Sequence, residues 1–223
     1  RDLRPIQFQK GFLKDPEGSC FVKQGDTWVL CAASVLEGVP GFLQGAGRGW
    51  ITAEYNMLPR AVSERKARGV GGREKEIGRI IARALRAAVD LSAIDGYTII
   101  VDCDVIQADG STRTASINGG FVALAEAFKR LREAGVISRD PIREVIGSVA
   151  VAWSGEEVLL DPDYEEDFSA KADAHFTFSE SGKLVELGFS GEEGPVPLEV
   201  YEEMFEVARE GAGRVIQLIK EVL

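Results

Sequence analysis

Apolar and polar positions alternate with a two-residue period from residue 17 to 36, interrupted by Gly25-Asp26. A Gly-X pair between two such runs predicts a β-hairpin, with Cys20 to Val22 before the turn and Thr27 to Ser34 after it. Another strand is expected at Trp50 to Met57, reached through a glycine-rich loop containing Pro40. Segment 64–73 is polar, basic and glycine-rich. The spacing then changes: Ile77, Ile80, Ile81, Ala84, Leu85 and Ala88 follow the i, i+3, i+4 repeat of an amphipathic helix over Glu74 to Asp90. Arg79, Arg83 and Arg86 fall on its opposite side and read as a solvated face. Tyr97 to Ile106 is apolar on both faces in its first half, as a central strand is, and its second half puts Asp102 and Asp104 on a common face. A second amphipathic helix is expected from Asn118 to Ala134, with Phe121, Leu124, Ala125, Phe128 and Leu131 inward. Looser alternation predicts strands at 144–153, 156–160, 172–179 and 183–189. A closing helix then runs from Pro197 to Leu223, proline suiting a first helical turn.

No short repeat, low-complexity segment or long linker divides the chain, so one α+β domain over 1–223 is the economical reading. The 223 residues, 45% hydrophobic and 28% charged, are enough to bury roughly 70% of the unfolded surface without disulfides or a structural metal. Cys20, Cys31 and Cys103 are odd in number, far apart and flanked by apolar residues, as buried thiols of a reducing cytosol are. No apolar run approaches the length of a membrane span, and the start lacks an apolar signal core, so a cytoplasmic chain with no membrane partner is expected. His175 is the single histidine. A zinc site of several histidines is therefore excluded, and a Ser-His-Asp triad would have to use this residue.

A net charge of -10 argues against a nucleic-acid partner until it is divided by segment. Residues 60–86 hold nine Lys or Arg against three Glu, a local +6 that leaves -16 on the rest. Such a stretch can grip a phosphate backbone, because the field that matters is local and is screened within about 10 Å at 0.1 M salt. An ordinary basic surface fits it equally well.

Two further segments carry candidate chemistry. In Ala108 to Ser116 (ADGSTRTAS) Gly110 permits a tight turn, Ser111 and Thr112 offer hydroxyls and N–H donors, and Arg113 supplies a planar fork that matches phosphate oxygens. It is neither a Walker A loop nor a GxGxxG fingerprint, and structural punctuation between strand and helix is the competing reading. In Asp161 to Asp173 (DPDYEEDFSAKAD) two or three acids could hold a Mg²⁺, with an acidic surface loop as the plainer alternative. Asp102, Asp104 and Asp109 would serve a hydrolytic two-metal site if they converged. A phosphate cradle, a basic track and an acidic cluster together suit phosphoryl-group chemistry on a polyanion.

Read together, LRPI at 3–6, PEGS at 16–19, CAASV at 31–35, GWITAEYNMLPR at 49–60, IGRIIARALRAAVD at 77–90, DCDVIQADGSTRTASI at 102–117 and LLDPDYEEDFSAKAD at 159–173 resemble bacterial ribonuclease PH. That family comprises phosphate-dependent 3′ exoribonucleases and nucleotidyltransferases of tRNA maturation. The resemblance implies a two-layer α+β domain with a left-handed β-α-β crossover. Its phosphate- and RNA-binding half would cover about 1–153, with the carboxylate motif and C-terminal helix in about 154–223. It implies that Arg73, Ser111, Thr112 and Arg113 bind inorganic phosphate, the co-substrate. Asp167 and Asp173 would be the catalytic pair that holds Mg²⁺ or Mn²⁺, and Arg60, Arg65 and Arg68 would lie where tRNA is held. The implied partners are tRNA precursors and other RNA 3′ ends, and the implied assembly is a homo-hexamer, a trimer of dimers. The chain differs from the family pattern at Ser111, where glycine is usual, and at Ala174-His175, where an apolar residue and asparagine are common; His175 reads as a tolerated strand residue rather than a new acid. The alternative is a catalytically silent RNA-binding ring subunit of an exosome-like assembly.

Overall fold

A computed structural model describes residues 2–223. Among these the chain forms two sheets and four α-helices. The first sheet takes β1 (Ile6–Lys10), β2 (Gly18–Gln24), β3 (Thr27–Glu37), β4 (Trp50–Met57) and β5 (Tyr97–Gln107) in the order β1-β2-β3-β5-β4. Every neighbouring pair is antiparallel except β4 and β5. A parallel pair needs a crossover, which α1 (Gly72–Ala87) supplies, giving the expected β-α-β unit. After α2 (Thr112–Glu133) a second, antiparallel sheet is built from β6 (Ile146–Trp153), β7 (Val158–Leu160), β8 (Ala172–Ser179) and β9 (Leu184–Gly191) in the order β7-β6-β8-β9. The short α3 (Tyr164–Phe168) precedes β8, and α4 (Leu198–Val222) closes the chain. The architecture is α+β, as the mixed periodicities predict.

The alternation decides which face is buried. Val29, Cys31 and Ala33 of β3 and Ile99, Val101, Cys103 and Val105 of β5 point under the helices, while their neighbours are more accessible. The three cysteines lie side by side across three strands (Cys20 opposite Cys31, Cys31 opposite Cys103), all free and at most 1% exposed. Burial pushes the Cys20 thiol up to about 12, and all three are buried thiols, as predicted.

The second helix begins six residues before the expected Asn118. Its opening residues have small or polar side chains rather than an apolar repeat, so periodicity does not announce them. From Thr114 to Leu124 every residue is buried, because α2 packs on the first sheet and also meets β6. Phe121 and Phe128, both fully enclosed, each contribute about 2–3 kcal/mol of hydrophobic burial. On the second sheet α4 lays down Met204, Ala208, Ala212, Val215, Ile216 and Ile219, and one contiguous apolar core runs through both sheets.

Three further expectations need correction. The first helix starts at Gly72, two residues early, so Arg73 stands in its first turn. Its outer arginines are not all free in solvent, because β9 runs alongside: Arg83 donates to Glu186 (Nε to Oε2, 2.6 Å), a residue 8% exposed. Arg86 lies 4.2 Å over the Trp50 ring and donates to the Ile51 carbonyl at 2.7 Å. The acidic segment is not merely a loop, since Asp163 and Glu166 cap each other reciprocally and start α3.

Packing of α2 on β2 requires Gly18, where a Cβ would stand 1.9 Å from the Ala123 carbonyl oxygen. Gly18→Ala is expected to cost about 2 kcal/mol. Gly213→Ala, on an exposed turn of α4 with open space around it, should instead stabilise by about 0.5–1 kcal/mol. Urea denaturation of the two variants reads both effects.

Candidate active site

A buried ion pair brings three distant segments together. Asp161, fully buried just after β7, accepts from Arg4 through the backbone N–H (3.1 Å), Nε (3.0 Å) and Nη2 (2.8 Å), and from Gln24 Nε2 at 2.7 Å. Burial alone would raise the Asp161 carboxyl; the bonds and charge of Arg4 outweigh it and hold the group below its ordinary value. Through Nη1 Arg4 also donates to the carbonyl of Asp109 at 2.5 Å. The turn at 109–111 therefore sits on the segment 161–163. A Cβ at Gly110 (φ +70°) would meet the Pro162 carbonyl at 2.4 Å, and Ser111 donates to the same carbonyl at 3.3 Å.

Two arginines face one cavity from this platform. Arg73 and Arg113 are each the second residue of a helix, α1 and α2. Both line a cavity of about 610 Å³ together with Glu76, Arg83, Asp173, His175, Glu186 and Glu192. The first intrahelical bond of α2 is Ala115 N–H to the Ser111 carbonyl, so the N–H groups of Thr112, Arg113 and Thr114 have no acceptor within the helix, and this end is a ready anion site. Arg113 Nη1 lies 2.6 Å from His175 Nδ1, and its buried Nε has no protein partner. Tyr55 of β4 ties the same end down, its hydroxyl 2.9 Å from Thr112 Oγ1. Burial, against that bond and the two arginines, lifts the Tyr55 phenol to about 12.

The carboxylates carry the opposite perturbation. Burial, a hydrogen bond shared with Glu192 and the negative charge of Asp167 push Asp173 up to about 6. Asp167 is also raised, because partial loss of solvent around its carboxyl outweighs the pull of Arg73 and Arg113, although the residue as a whole stays exposed. His175 is held down to about 3 by burial and by the charges of Arg113 and Arg83, so its ring is neutral. Two carboxyl groups that disfavour each other's charge are the hard oxygen donors that Mg²⁺ takes one or two at a time. Among the described residues no three His, Cys, Asp or Glu side chains form a cage, so these residues fit only a cation completed by water and substrate oxygens.

Arg73, Arg113 and Asp173 thus share one cavity, and Asp167 lies within the field of both arginines. The hydroxyls of Ser111 and Thr112 are engaged elsewhere, which leaves the backbone at these residues as the donor. Arg60, Arg65 and Arg68 are exposed on the segment between β4 and α1 and do not line the cavity. Asp102 and Asp104 lie on the face of the first sheet away from its helices, while Asp109 is bound by Arg4 and the Tyr164 N–H. The convergence that a hydrolytic site would need is absent among these described residues. Sequence reasoning missed Arg4, Tyr55, Glu192 and Asp161. Only Glu192 had a usable local signal, since pairing the two strands at 172–179 and 183–189 carries it back beside Asp173.

Residues 2–129 match the first domain of the 3′ exoribonuclease family and residues 144–211 its second. The fold and the paired helix ends thus have a family, and the chain belongs to it. Within it the chain is 47% identical over 228 residues to Ribonuclease PH of Bacillus subtilis, covering all of this chain and 93% of that protein. It is 45% identical to Ribonuclease PH of Hydrogenobaculum, with 97% and 87% covered. Among solved structures it superposes on rice Rrp46 with a TM-score of 0.81 at 21% identity, covering 100% and 96%. An Archaeoglobus fulgidus exosome chain gives 0.84 at 23%, covering 97% and 88%. These two show the shared fold. No helix among the described residues is long and apolar enough to cross a membrane.

The raised Asp173 makes a stability prediction. Its folded value lies above the ordinary 3.8, so the folded state binds the proton more tightly, and stability is lost as pH rises through about 4 to 6. Asp173→Asn removes this loss. Without divalent cations the variant should unfold about 1 kcal/mol harder than the parent at pH 7.5, discounted for partial solvent screening, and no harder at pH 3.5. Urea melts at the two pH values measure it.

Proposed function

We infer that the chain is a phosphorolytic 3′-to-5′ exoribonuclease that trims the 3′ ends of tRNA precursors, releases nucleoside diphosphates, and runs in reverse as a nucleotidyltransferase. The observation that carries this reading is the cavity where Arg73 and Arg113, from two helix N-termini, face Asp173. Bringing anionic phosphate to an anionic phosphodiester is opposed mainly by charge, and two guanidinium groups with a helix N-terminus offset that repulsion in place. An oxygen of inorganic phosphate attacks the terminal phosphorus, the bond to the upstream 3′ oxygen breaks, and that oxygen gains the proton that hydrogen phosphate gives up. No activated water is needed, which suits a site whose neutral histidine is already committed to an arginine.

In this assignment Arg73, Arg113 and the N–H groups of Thr112 and its neighbours, shaped by Ser111, hold the nucleophilic phosphate. Asp167 and Asp173 would hold Mg²⁺ or Mn²⁺, which supplies positive charge against the scissile group's oxygens. Arg60, Arg65 and Arg68 guide the RNA. The working assembly is a homo-hexameric ring of dimers in the cytoplasm. A silent ring subunit would have no chemical use for paired arginines and paired aspartates at one cavity.

With a 3′-extended tRNA, Mg²⁺ and phosphate, nucleoside diphosphates are the expected product by thin-layer chromatography; monophosphates, or shortening indifferent to phosphate, refute the reading. Arg113→Ala should lower the phosphorolytic rate by at least about 100-fold while RNA affinity changes little. RNA binding should weaken steeply with salt. Each of Arg60→Ala, Arg65→Ala and Arg68→Ala is expected to reduce the slope of log K against log salt by about 0.7 in filter-binding titrations.

A further inference from the structure

We propose that His175 is a positioning residue for the phosphate-binding arginine: its imidazole holds the Arg113 guanidinium toward the cavity without cancelling its charge. This rests on reading that cavity as the phosphate site.

The hydrogen-bond inventory fixes the arrangement. A guanidinium has only donors, so the 2.6 Å contact between Arg113 Nη1 and His175 Nδ1 makes Nδ1 the acceptor. The ring's proton is then on Nε2, and the ring is uncharged. Most acceptors that could orient an arginine this firmly are carboxylates, and a carboxylate at 2.6 Å would offset much of the charge on offer to a phosphate. A neutral acceptor orients the fork and leaves the full positive charge facing the ligand. The Arg113 Nε, buried and unclaimed by any protein group, is available on the same fork.

The fold makes a dedicated slot for this ring. His175 is 6% exposed and lies on the same face of β8 as Asp173, two residues before it. Directly across the ladder on β9 stands Gly188, and a Cβ there would come within 2.0 Å of the imidazole Cε1. The ring therefore lies over bare backbone, and any larger residue at 188 would expel it. A strand residue merely tolerated at 175 needs neither the slot nor the arginine.

Steady-state phosphorolysis by the full chain tests the idea. His175→Ala and His175→Leu, which lack the acceptor, should raise KM for phosphate about tenfold, with kcat at saturating phosphate and KM for RNA each changed less than about threefold. His175→Asn can place its Oδ1 where Nδ1 stood and should restore KM for phosphate to within about threefold of the parent. Gly188→Ala should behave like the alanine variant at 175. An unchanged phosphate KM in the two acceptor-less variants, or an equal rise in both KM values, overturns the proposal. Because His175 is the single histidine, ¹⁵N NMR of the parent protein gives a second readout that does not depend on how any variant folds. The expected spectrum is the Nε2–H tautomer with Nδ1 as a hydrogen-bond acceptor, shifting when inorganic phosphate is added; the Nδ1–H tautomer, or no shift at saturating phosphate, overturns it. If the parent degrades RNA without phosphate, the functional reading fails and the inference with it. A phosphate-dependent parent with insensitive variants removes the inference alone.

Discussion

The arrangement of the site depends on one ion pair between residues 157 positions apart. Asp161 is removed from water entirely, and a buried charge with any unfilled bonding capacity would cost several kcal/mol. Four donors from Arg4 and Gln24 supply what water would have. Because Arg4 also holds the Asp109 carbonyl, the start of the chain, the turn that leads into α2 and the acidic segment leading to α3 converge on one guanidinium. Ser111 (φ +52°) and Asp161 (φ +53°) both adopt left-handed backbone without being glycine, a strain of about 1–3 kcal/mol each that persists only where surroundings hold it. Here those surroundings are the ion pair and the contact of Gly110 with Pro162.

Much of the fold is written in local pattern. The hairpin about Gly25, the helix through Ile77 to Ala88 and the central strand at 97–107 follow from period and punctuation alone, because burial on one face imposes that spacing. The start of α2 could not be read this way: Thr112 to Ser116 are small or polar and carry no periodic signal. For the site, residue chemistry singled out Arg113 and the acids near Asp167 and Asp173, and the family resemblance added Arg73. Their meeting is a matter of tertiary structure. Arg4 and Asp161 were visible only as letters in two motifs, since nothing local tells a buried ion pair from two exposed charges. Arg83 and Arg86 show the converse, where arginines on a helix side that looks solvated by its angle are engaged by Glu186 of β9 and by Trp50 while Arg83 stays exposed.

Charge segregation explains how an acidic chain can serve a polyanionic substrate. Positive groups are concentrated at two helix ends and on the segment before α1, and two of the acids beside the cavity, Asp167 and Asp173, have their ionisation disfavoured by loss of solvent. Both are raised above the ordinary carboxylate value. Elsewhere the surplus of Asp and Glu discourages RNA from settling on the wrong face.

The enclosure of α2 sets where the site can yield. With eleven consecutive residues, Thr114 to Leu124, buried on every side, this helix cannot shift without opening the core of both sheets, so its amides belong with the slowest-exchanging class, opening only when the whole chain unfolds. By contrast, α3, which carries Asp167, is a five-residue helix with no buried residue, whereas Asp173 stands on β8, paired with β6 and β9 on either side. Local opening that spares the core is then confined to the short α3 beside the cavity. The start of α2 is the fixed part of the cavity wall, and α3 is the part that can give.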